Sequence, residues 1–144
     1  MKLIQRYSHC FVCGDKNDIG LKVNFFEEEG KAKAEFVPTG KLEGYKDILH
    51  GGILAALLDE VMIKSIIAKG ILTVTSQMEI EFKKPAKTGE RLFLEGEIKE
   101  DTGKIILTEG KALTQDGNLI AQAKGKYFRV KDEMKELLNR SLDE

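Results

Sequence analysis

The sequence predicts an α+β fold in which one antiparallel sheet curls around a single long, buried helix. Residues 52–69 are apolar around most of the circumference of a helix, which is typical of a buried helix rather than a surface one. The segments on both sides alternate between apolar and polar residues with a period of two, which indicates half-buried strands. Tight turns separate these strands, so consecutive strands must run antiparallel.

Two strands are predicted before the helix. Residues 21–25 alternate apolar with polar, an acidic turn follows at 27–30, and the alternation resumes over 32–36 until Pro38. Residues 38–50 have no period and contain proline and glycine, so they are expected to form an irregular loop. We expect residues 1–20 to form a packed N-terminal cap.

After the helix, for which Gly70 is the expected C-terminal cap, every long segment has strand periodicity. Four successive strands are predicted, joined by turns that include Asp116-Gly117, a strong hairpin signal. These strands occupy residues 72–83, 92–98, 104–114 and 118–130. In the first of them, one face is predicted to carry Leu72, Val74, Ser76, Met78, Ile80 and Phe82. A short charged helix is expected over 131–144.

Composition limits the classes of function. A chain of 144 residues is expected to form one domain, and a net charge of −1 lacks the basic excess of nucleic-acid-binding proteins. No apolar run reaches the roughly 18 residues of a membrane-spanning helix, and no signal-peptide core follows Met1. Two cysteines are too few for a disulfide-stapled secreted fold. We therefore expect a cytoplasmic protein without nucleic-acid or membrane partners.

The segment from His50 to Glu60 contains the candidate reactive groups. Gly51 and Gly52 open the predicted helix, where unpaired N–H groups can hold an oxyanion, although the pair could merely form a tight turn. Asp59 has only apolar neighbours three and four residues away, which is costly without a partner or a function. A structural hydrogen bond to a neighbouring chain is the alternative. Glu60, with Lys64 four residues on, is expected to form a surface ion pair.

The runs 50–52 and 57–60 together resemble the acyl-CoA thioesterases of the hotdog fold, specifically the phenylacetate-pathway type of the 4-hydroxybenzoyl-CoA thioesterase superfamily. Residues 85–90 resemble the turn after their first post-helix strand. Residues 10–14, with Asn17, Gly20 and Leu21, are similar to the start of a bacterial subset. The order of the predicted elements agrees with this fold over about residues 10–130.

The resemblance implies roles for individual residues. Asp59 takes the place of the catalytic carboxylate, acting as general base on water or as nucleophile. Gly51 supplies the N–H that polarises the thioester carbonyl, His50 shapes the same loop, and Thr75 helps to hold the water. Some relatives carry an Asn or Gln in the preceding loop, but residues 43–49 contain neither, so what positions the water stays open.

Substrate-binding residues are expected around the same helix and the turn at Pro85. In this interpretation the basic residues near that turn meet the phosphates of coenzyme A, although a solvated turn is the plain alternative. The basic residues are Lys83, Lys84, Lys87 and Arg91. Gly52 is assigned to the substrate site, and Met62 and Ile66 are candidates to accept the acyl group, whose identity cannot be read from the sequence.

The spacing of Gly51 and Asp59 predicts a site shared between two chains. Eight residues of helix separate them by about 12 Å, too far for both to act on one carbonyl. We therefore expect a homodimer with shared active sites, with a dimer of dimers as a further option, and the resemblance implies the same arrangement. Cys10 and Cys13, beside His9, lack the second ligand pair of a structural zinc site, so no metal or cofactor is expected.

Two other functions remain open at this point. A non-catalytic acyl-CoA binding or sensing protein on the same fold would have no need for Asp59, and a chain of 144 residues leaves little room for an output domain. A hydratase acting on enoyl or hydroxyacyl thioesters would need a His and acid pair placed for C–H chemistry, whereas His50 beside the glycines fits loop shaping better. The sequence thus favours a thioester hydrolase.

Overall fold

A seven-stranded antiparallel sheet curls around one long helix in the computed structural model, which describes residues 1–142. The helix is α1 (Gly51–Ile67). The strands are β1 (Lys2–Leu3), β2 (Phe26–Glu28), β3 (Lys31–Phe36), β4 (Thr73–Phe82), β5 (Leu92–Asp101), β6 (Ile105–Thr114) and β7 (Leu119–Arg129). Their order across the sheet is β1-β2-β3-β5-β6-β7-β4, and α1 packs against β3 to β7. The predicted α+β architecture is confirmed.

Both ends of α1 are capped, and the C-terminal cap is the glycine that the sequence predicts. His50 is the N-terminal cap, so the helix begins one residue earlier than predicted. At the other end Gly70 adopts a positive φ of 77° and donates its N–H to the Ile67 carbonyl at 2.8 Å. The Ile71 N–H reaches back to Ile66 at 3.4 Å, which completes a glycine-terminated cap.

Two glycines let α1 lie close to the sheet. Gly96 of β5 and Gly110 of β6 are directly opposite each other in the antiparallel register. A Cβ atom at Gly96 would overlap the carbonyl of Val61, and one at Gly110 would lie 2.9 Å from the Met62 Cγ. Larger residues at these two positions would therefore push the helix away from the strands.

The first predicted strand is wrong. Residues 21–25 form no strand, because Lys22 has a positive φ of 55° that interrupts the pleat. Their partner is the N-terminal segment, to which Val23 donates its N–H at the Val12 carbonyl, 2.9 Å away. A hairpin does form, but its first strand lies further along the chain than predicted. It consists of β2 and β3, with its turn at residues 29–30.

The alternation predicted for β4 fails at one residue. Thr75 is paired with Tyr127 and Gln77 with the preceding residue of β7, so Ser76 is an extra residue in a β-bulge. Because the bulge reverses the side-chain alternation, the face of Thr75 continues at Met78 rather than at Gln77. The predicted face is therefore correct after Ser76 and reversed before it.

The C-terminal helix is shorter than predicted. It comprises α2 (Asp132–Asn139), which buries no residue, followed by a 3₁₀ turn over Arg140–Leu142. The last two positions of the predicted helix, 143 and 144, lie outside the described residues. Among helices formed by residues 1–142, none is long and apolar enough to cross a membrane.

Candidate active site

Asp59, near the middle of α1, is held by hydroxyl groups from two neighbouring strands. The Tyr127 hydroxyl donates to Asp59 Oδ1 at 2.8 Å and also lies 3.2 Å from the Asp59 carbonyl oxygen. Thr75 Oγ1 donates to the same Oδ1 at 3.1 Å and lies 3.5 Å from Oδ2. Both hydroxyls therefore fix the orientation of one carboxylate.

The pairing of β4 with β7 explains why both donors arrive together. Thr75 and Tyr127 are directly opposite each other, so their side chains leave the sheet side by side. Tyr127 is fully buried, and its ring fits because Gly125 lacks a side chain; a Cβ there would lie 2.6 Å from the Tyr127 Cε1. Burial, with the charge of Asp59 beside it, raises the pKa of Tyr127, so the phenol keeps its proton and donates.

The second carboxylate oxygen of Asp59 is available for chemistry. Within residues 1–142, the 3.5 Å interaction with Thr75 is the only hydrogen bond that Oδ2 makes. The hydrogen bonds to Oδ1 hold the whole carboxylate in place. Oδ2 can therefore take a proton from water or attack an electrophile. Asp59, which the sequence indicates would be destabilising without a partner or a function, thus has the geometry of a positioned base or nucleophile.

At the start of α1, the His50 side chain accepts a hydrogen bond from only one of the two glycine N–H groups. The His50 Nδ1 accepts a hydrogen bond from the Gly52 N–H at 2.8 Å, which assigns the ring proton of a neutral His50 to Nε2. The N–H groups of Ile53 and Leu54 bond to the His50 carbonyl. By contrast, the Gly51 N–H meets no acceptor within the described part of the chain. Gly51 is therefore the amide that can donate to a bound oxyanion.

A groove runs along this end of the helix. The Leu49 N–H donates to the Ala86 carbonyl at 2.8 Å, and Ile48 forms an isolated bridge with Lys87. These bonds dock the loop before the helix onto the turn after β4. The residues that line the groove include Tyr45, Ile48, His50, Gly51, Phe82 and Lys84.

The basic residues near this turn are not equivalent. Lys83 forms an ion pair with a β4 carboxylate at 2.8 Å, and Arg91 forms one with a β3 carboxylate at 3.4 Å. Both Lys83 and Lys84 line the groove, and Lys87 lies on the same turn. Lys83 and Lys84 thus line the same groove as Gly51, and Arg91 does not.

Met62 and Ile66 are not brought to the groove. Both are fully buried between α1 and the sheet, and Met62 packs on Gly110. Their side chains contribute to the core, so the expected acyl-binding role of Met62 has no support in the protomer. The sequence pattern misled here because α1 is apolar on nearly all sides, and periodicity alone does not separate core from substrate-facing positions.

Glu60 has an environment that the sequence did not indicate. The predicted ion pair with Lys64 forms at 3.8 Å, but Lys64 is fully buried, so the expected surface location of the pair is wrong. Glu60 Oε2 also lies 3.7 Å from the Cys10 Sγ. Burial raises the pKa of Glu60 to about 7. The hydrogen bond from the Cys13 thiol, with backbone N–H donors, lowers the pKa of Cys10 to about 5.

Two of these neighbours could not be paired from the sequence. Tyr127 is an inward-facing tyrosine in a strand, and a buried phenol needs a hydrogen-bond partner, which was the available signal. Nothing in the sequence relates Cys10 to Glu60, which is fifty residues away. The contact of Tyr127 with Asp59 and that of Cys10 with Glu60 both depend on the tertiary arrangement.

Comparison with known proteins places the chain in a family. A family profile described as "Thioesterase superfamily" matches residues 46–121, more than half of the chain. The chain belongs to the thioesterase superfamily. The matched segment includes Gly51, Asp59 and Thr75, so the profile covers most of the candidate active site.

An uncharacterised protein of Schizosaccharomyces pombe is 30% identical to this superfamily member over 108 residues, which cover 70% of this chain. The match covers 62% of the yeast protein, so this chain spans less than two thirds of that relative's length.

Solved structures agree with the fold. A protein of the thioesterase superfamily superimposes with a TM-score of 0.80 and 25% identity, covering 89% of this chain and 66% of that one. The Escherichia coli PaaI protein of the phenylacetic acid degradation operon has a TM-score of 0.72 and 21% identity, with coverages of 77% and 81%. A Streptococcus mutans protein bound to acetyl-CoA has a TM-score of 0.71 and 23% identity, with coverages of 75% and 88%. The predicted resemblance to thioesterases of the hotdog fold is confirmed, since the family match shows the superfamily and the solved structures, PaaI among them, share the fold.

Proposed function

We propose that this protein is an acyl-CoA thioesterase, which hydrolyses an acyl-CoA thioester to the free acid and coenzyme A. The observation that carries the proposal is Asp59, whose Oδ1 accepts bonds from Thr75 and Tyr127 while Oδ2 stays open. Binding alone does not require such a carboxylate, because a thioester presents no positive charge to it. Hydrolysis requires a group that activates water or attacks the carbonyl.

The reaction uses one water and one acidic residue. Asp59 Oδ2 takes a proton from water as the water oxygen attacks the thioester carbonyl carbon, and the Gly51 N–H stabilises the oxyanion. The C–S bond then breaks, and the proton moves from Asp59 to the departing thiolate, which gives the acid and coenzyme A. In the alternative route Asp59 attacks the carbonyl itself, and water then hydrolyses the mixed anhydride.

Two copies of the chain are needed to build this site. Gly51 and Asp59 lie on the same continuous helix, eight residues or about 12 Å apart along its axis. A thioester whose carbonyl oxygen lies about 3 Å from the Gly51 N–H is therefore out of reach of Asp59 on the same helix. A homodimer with antiparallel helices pairs Gly51 of one protomer with the acid of the other, and creates two equivalent sites.

The proposed substrate class has support from a fold relative. The Streptococcus mutans protein was solved with acetyl-CoA bound, so this fold accommodates a coenzyme A thioester. In the present chain Lys84 and Lys87 have no carboxylate partner among the ion pairs of residues 1–142. We assign these two lysines to the phosphates of the nucleotide end of coenzyme A.

The direct test is thiol release from a panel of short, long and aromatic acyl-CoAs, followed with a thiol reagent. Release above the uncatalysed rate with at least one of these substrates is expected. Tight acyl-CoA binding without release from any of them would contradict the proposal and favour a binding protein.

Reversing the charge of Lys84 and Lys87 is expected to raise KM for acyl-CoA. Replacing both with glutamate should raise it about thirtyfold, since each of the two phosphate contacts contributes on the order of 1 kcal/mol. A thioester that lacks the nucleotide should show no change in KM with the same variant. Steady-state kinetics with both substrates measures the difference.

The matched control for this variant is the double replacement of Lys104 and Lys131 by glutamate. Both residues are exposed and lie near the other end of β7, away from the groove. This variant has the same net charge and should leave both KM values unchanged. Equal effects of the two double variants on acyl-CoA would show a general charge effect instead of a phosphate site.

A further inference from the structure

A cluster of thiol and carboxylate groups joins the N-terminal segment to α1, apart from the open oxygen of Asp59. One ligand atom each from Cys10, Cys13 and Glu60 lie within 4.8 Å of one another. The Cys10 Sγ is 3.7 Å from Glu60 Oε2. Cys13 is fully buried, and Cys10 is half-buried. None of these groups has a part in the proposed hydrolysis.

The backbone arranges the two sulfur atoms in advance. The Cys13 N–H donates to the Cys10 Sγ at 3.4 Å, and the Gly14 N–H donates to the Cys10 carbonyl at 2.8 Å. A side chain at Gly14 would collide with the backbone of Cys10 and Ser8, so the turn is tight and needs glycine at this position. Such a turn holds both sulfurs on one side and stabilises a thiolate at the first of them.

The distance between the Cys10 sulfur and the Glu60 oxygen is close to that between two ligands of a tetrahedral metal centre. Bonds of about 2.3 Å to sulfur and about 2.0 Å to oxygen place tetrahedral ligands about 3.8 Å apart for two sulfurs and about 3.5 Å apart for sulfur and oxygen. The observed 3.7 Å between Cys10 Sγ and Glu60 Oε2 already matches. Binding would therefore require only small movements of the side chains.

The buried charges balance when a divalent cation is included. Lys64 is fully buried, lies 3.8 Å from Glu60 Oε2 and donates to the Gln5 carbonyl. One ammonium balances only one of the three anions that Cys10, Cys13 and Glu60 can form. A divalent cation bound to all three deprotonated groups leaves the cluster neutral, so the bound state contains no uncompensated buried charge.

We propose that Cys10, Cys13 and Glu60 bind a divalent cation with affinity for sulfur, of which Zn²⁺ best fits two thiolates and one carboxylate. Cys10 also lines a groove with Tyr7 and His9, so water has access to the fourth position. The cation ties the N-terminal segment to α1 and takes no part in hydrolysis. This site goes beyond the proposed function and does not depend on it.

The test uses reduced protein from which metal has been stripped with a chelator. Zn²⁺ binding is measured by competition with a chromophoric chelator, and Co²⁺ binding by the thiolate-to-cobalt charge-transfer absorption. We expect one ion per chain, the thiolate band, and a Tm increase of roughly 5–10 °C at a hundredfold excess of Zn²⁺ over Kd. Sub-stoichiometric binding or a cobalt spectrum without thiolate ligands would overturn the proposal.

Variants then assign the ligands. Glu60→Gln should weaken Zn²⁺ binding at least about tenfold, and the double variant Cys10→Ser with Cys13→Ser should weaken it more than about a hundredfold. Asp59→Asn is the matched control, because the neighbouring carboxylate of Asp59 faces Thr75 and Tyr127. The Zn²⁺ affinity of this variant should equal that of the wild type. Wild-type affinity in Glu60→Gln would overturn the site as assigned. If a variant does not fold, the stoichiometry and cobalt spectrum of the wild type decide.

Discussion

Replacing Asp59 with asparagine is expected to lower kcat by a factor of about 10²–10⁴, with KM close to that of the wild type. The amide oxygen can still accept hydrogen bonds from Thr75 and Tyr127, so the side chain should keep its orientation. The amide NH₂ replaces the open Oδ2 and cannot take a proton from water. Steady-state thiol release and a substrate-binding measurement on the same variant separate the two effects.

The matched control for Asp59→Asn is Glu109→Gln, which makes the same chemical change at an exposed position of β6. Its kcat should stay within about twofold of the wild type, because the carboxylate lies outside the candidate site. Wild-type turnover in Asp59→Asn would remove the carboxylate from the reaction and, with it, the basis of the proposed mechanism.

Removing the Gly51 N–H is expected to lower kcat about 10²–10³-fold, and mixing two inactive proteins should restore activity. Gly51→Pro deletes the donor at the first helical position, where proline is well tolerated. The preceding residue, His50, has φ −58° and ψ 131°, which is compatible with a following proline. Gly51→Ala keeps the N–H, and its Cβ would make ordinary contacts with Phe82 at 3.8 Å, so it serves as the control.

The shared site is tested by exchanging subunits between Asp59→Ala and Gly51→Pro proteins. A mixed dimer has one site with both defects and one site with neither, so each mixed dimer should show about half the wild-type activity. Random exchange of equal amounts makes about half of the dimers mixed, which gives about a quarter of wild-type activity overall. Confirmed exchange without any recovered activity would mean that Gly51 and Asp59 do not meet across subunits.

The large elements of the fold were predictable because each has a local pattern that the tertiary structure does not override. The apolar run became α1, Gly70 became its cap, and the period-two segments after it became β4 to β7. Family resemblance from the runs around His50 and Asp59 was confirmed by the family match. These are signals that a few neighbouring residues carry by themselves.

The parts that could not be predicted depend on register or on long-range contacts. The extra residue at Ser76 has no signature in an alternating sequence, yet it places Thr75 on the face of Asp59. Tyr127 reaches the same carboxylate only through the pairing of β7 with β4. The approach of Cys10 to Glu60 depends on how the N-terminal segment packs on α1, which no periodicity encodes.

The glycine pair under α1 also governs the alignment of the candidate active site. Gly96 and Gly110 determine the depth at which the helix rests on the strands, and Asp59 travels with that helix. Tyr127 is anchored in the sheet and has a rigid ring, so its hydroxyl cannot follow a helix that is lifted outward. A methyl group at Gly96 would therefore separate the acid from its donor without touching either of them. Gly96 and Gly110 thus set the distance between Asp59 on the helix and Tyr127 in the sheet. Substituting them would change the alignment of the candidate active site as well as the packing.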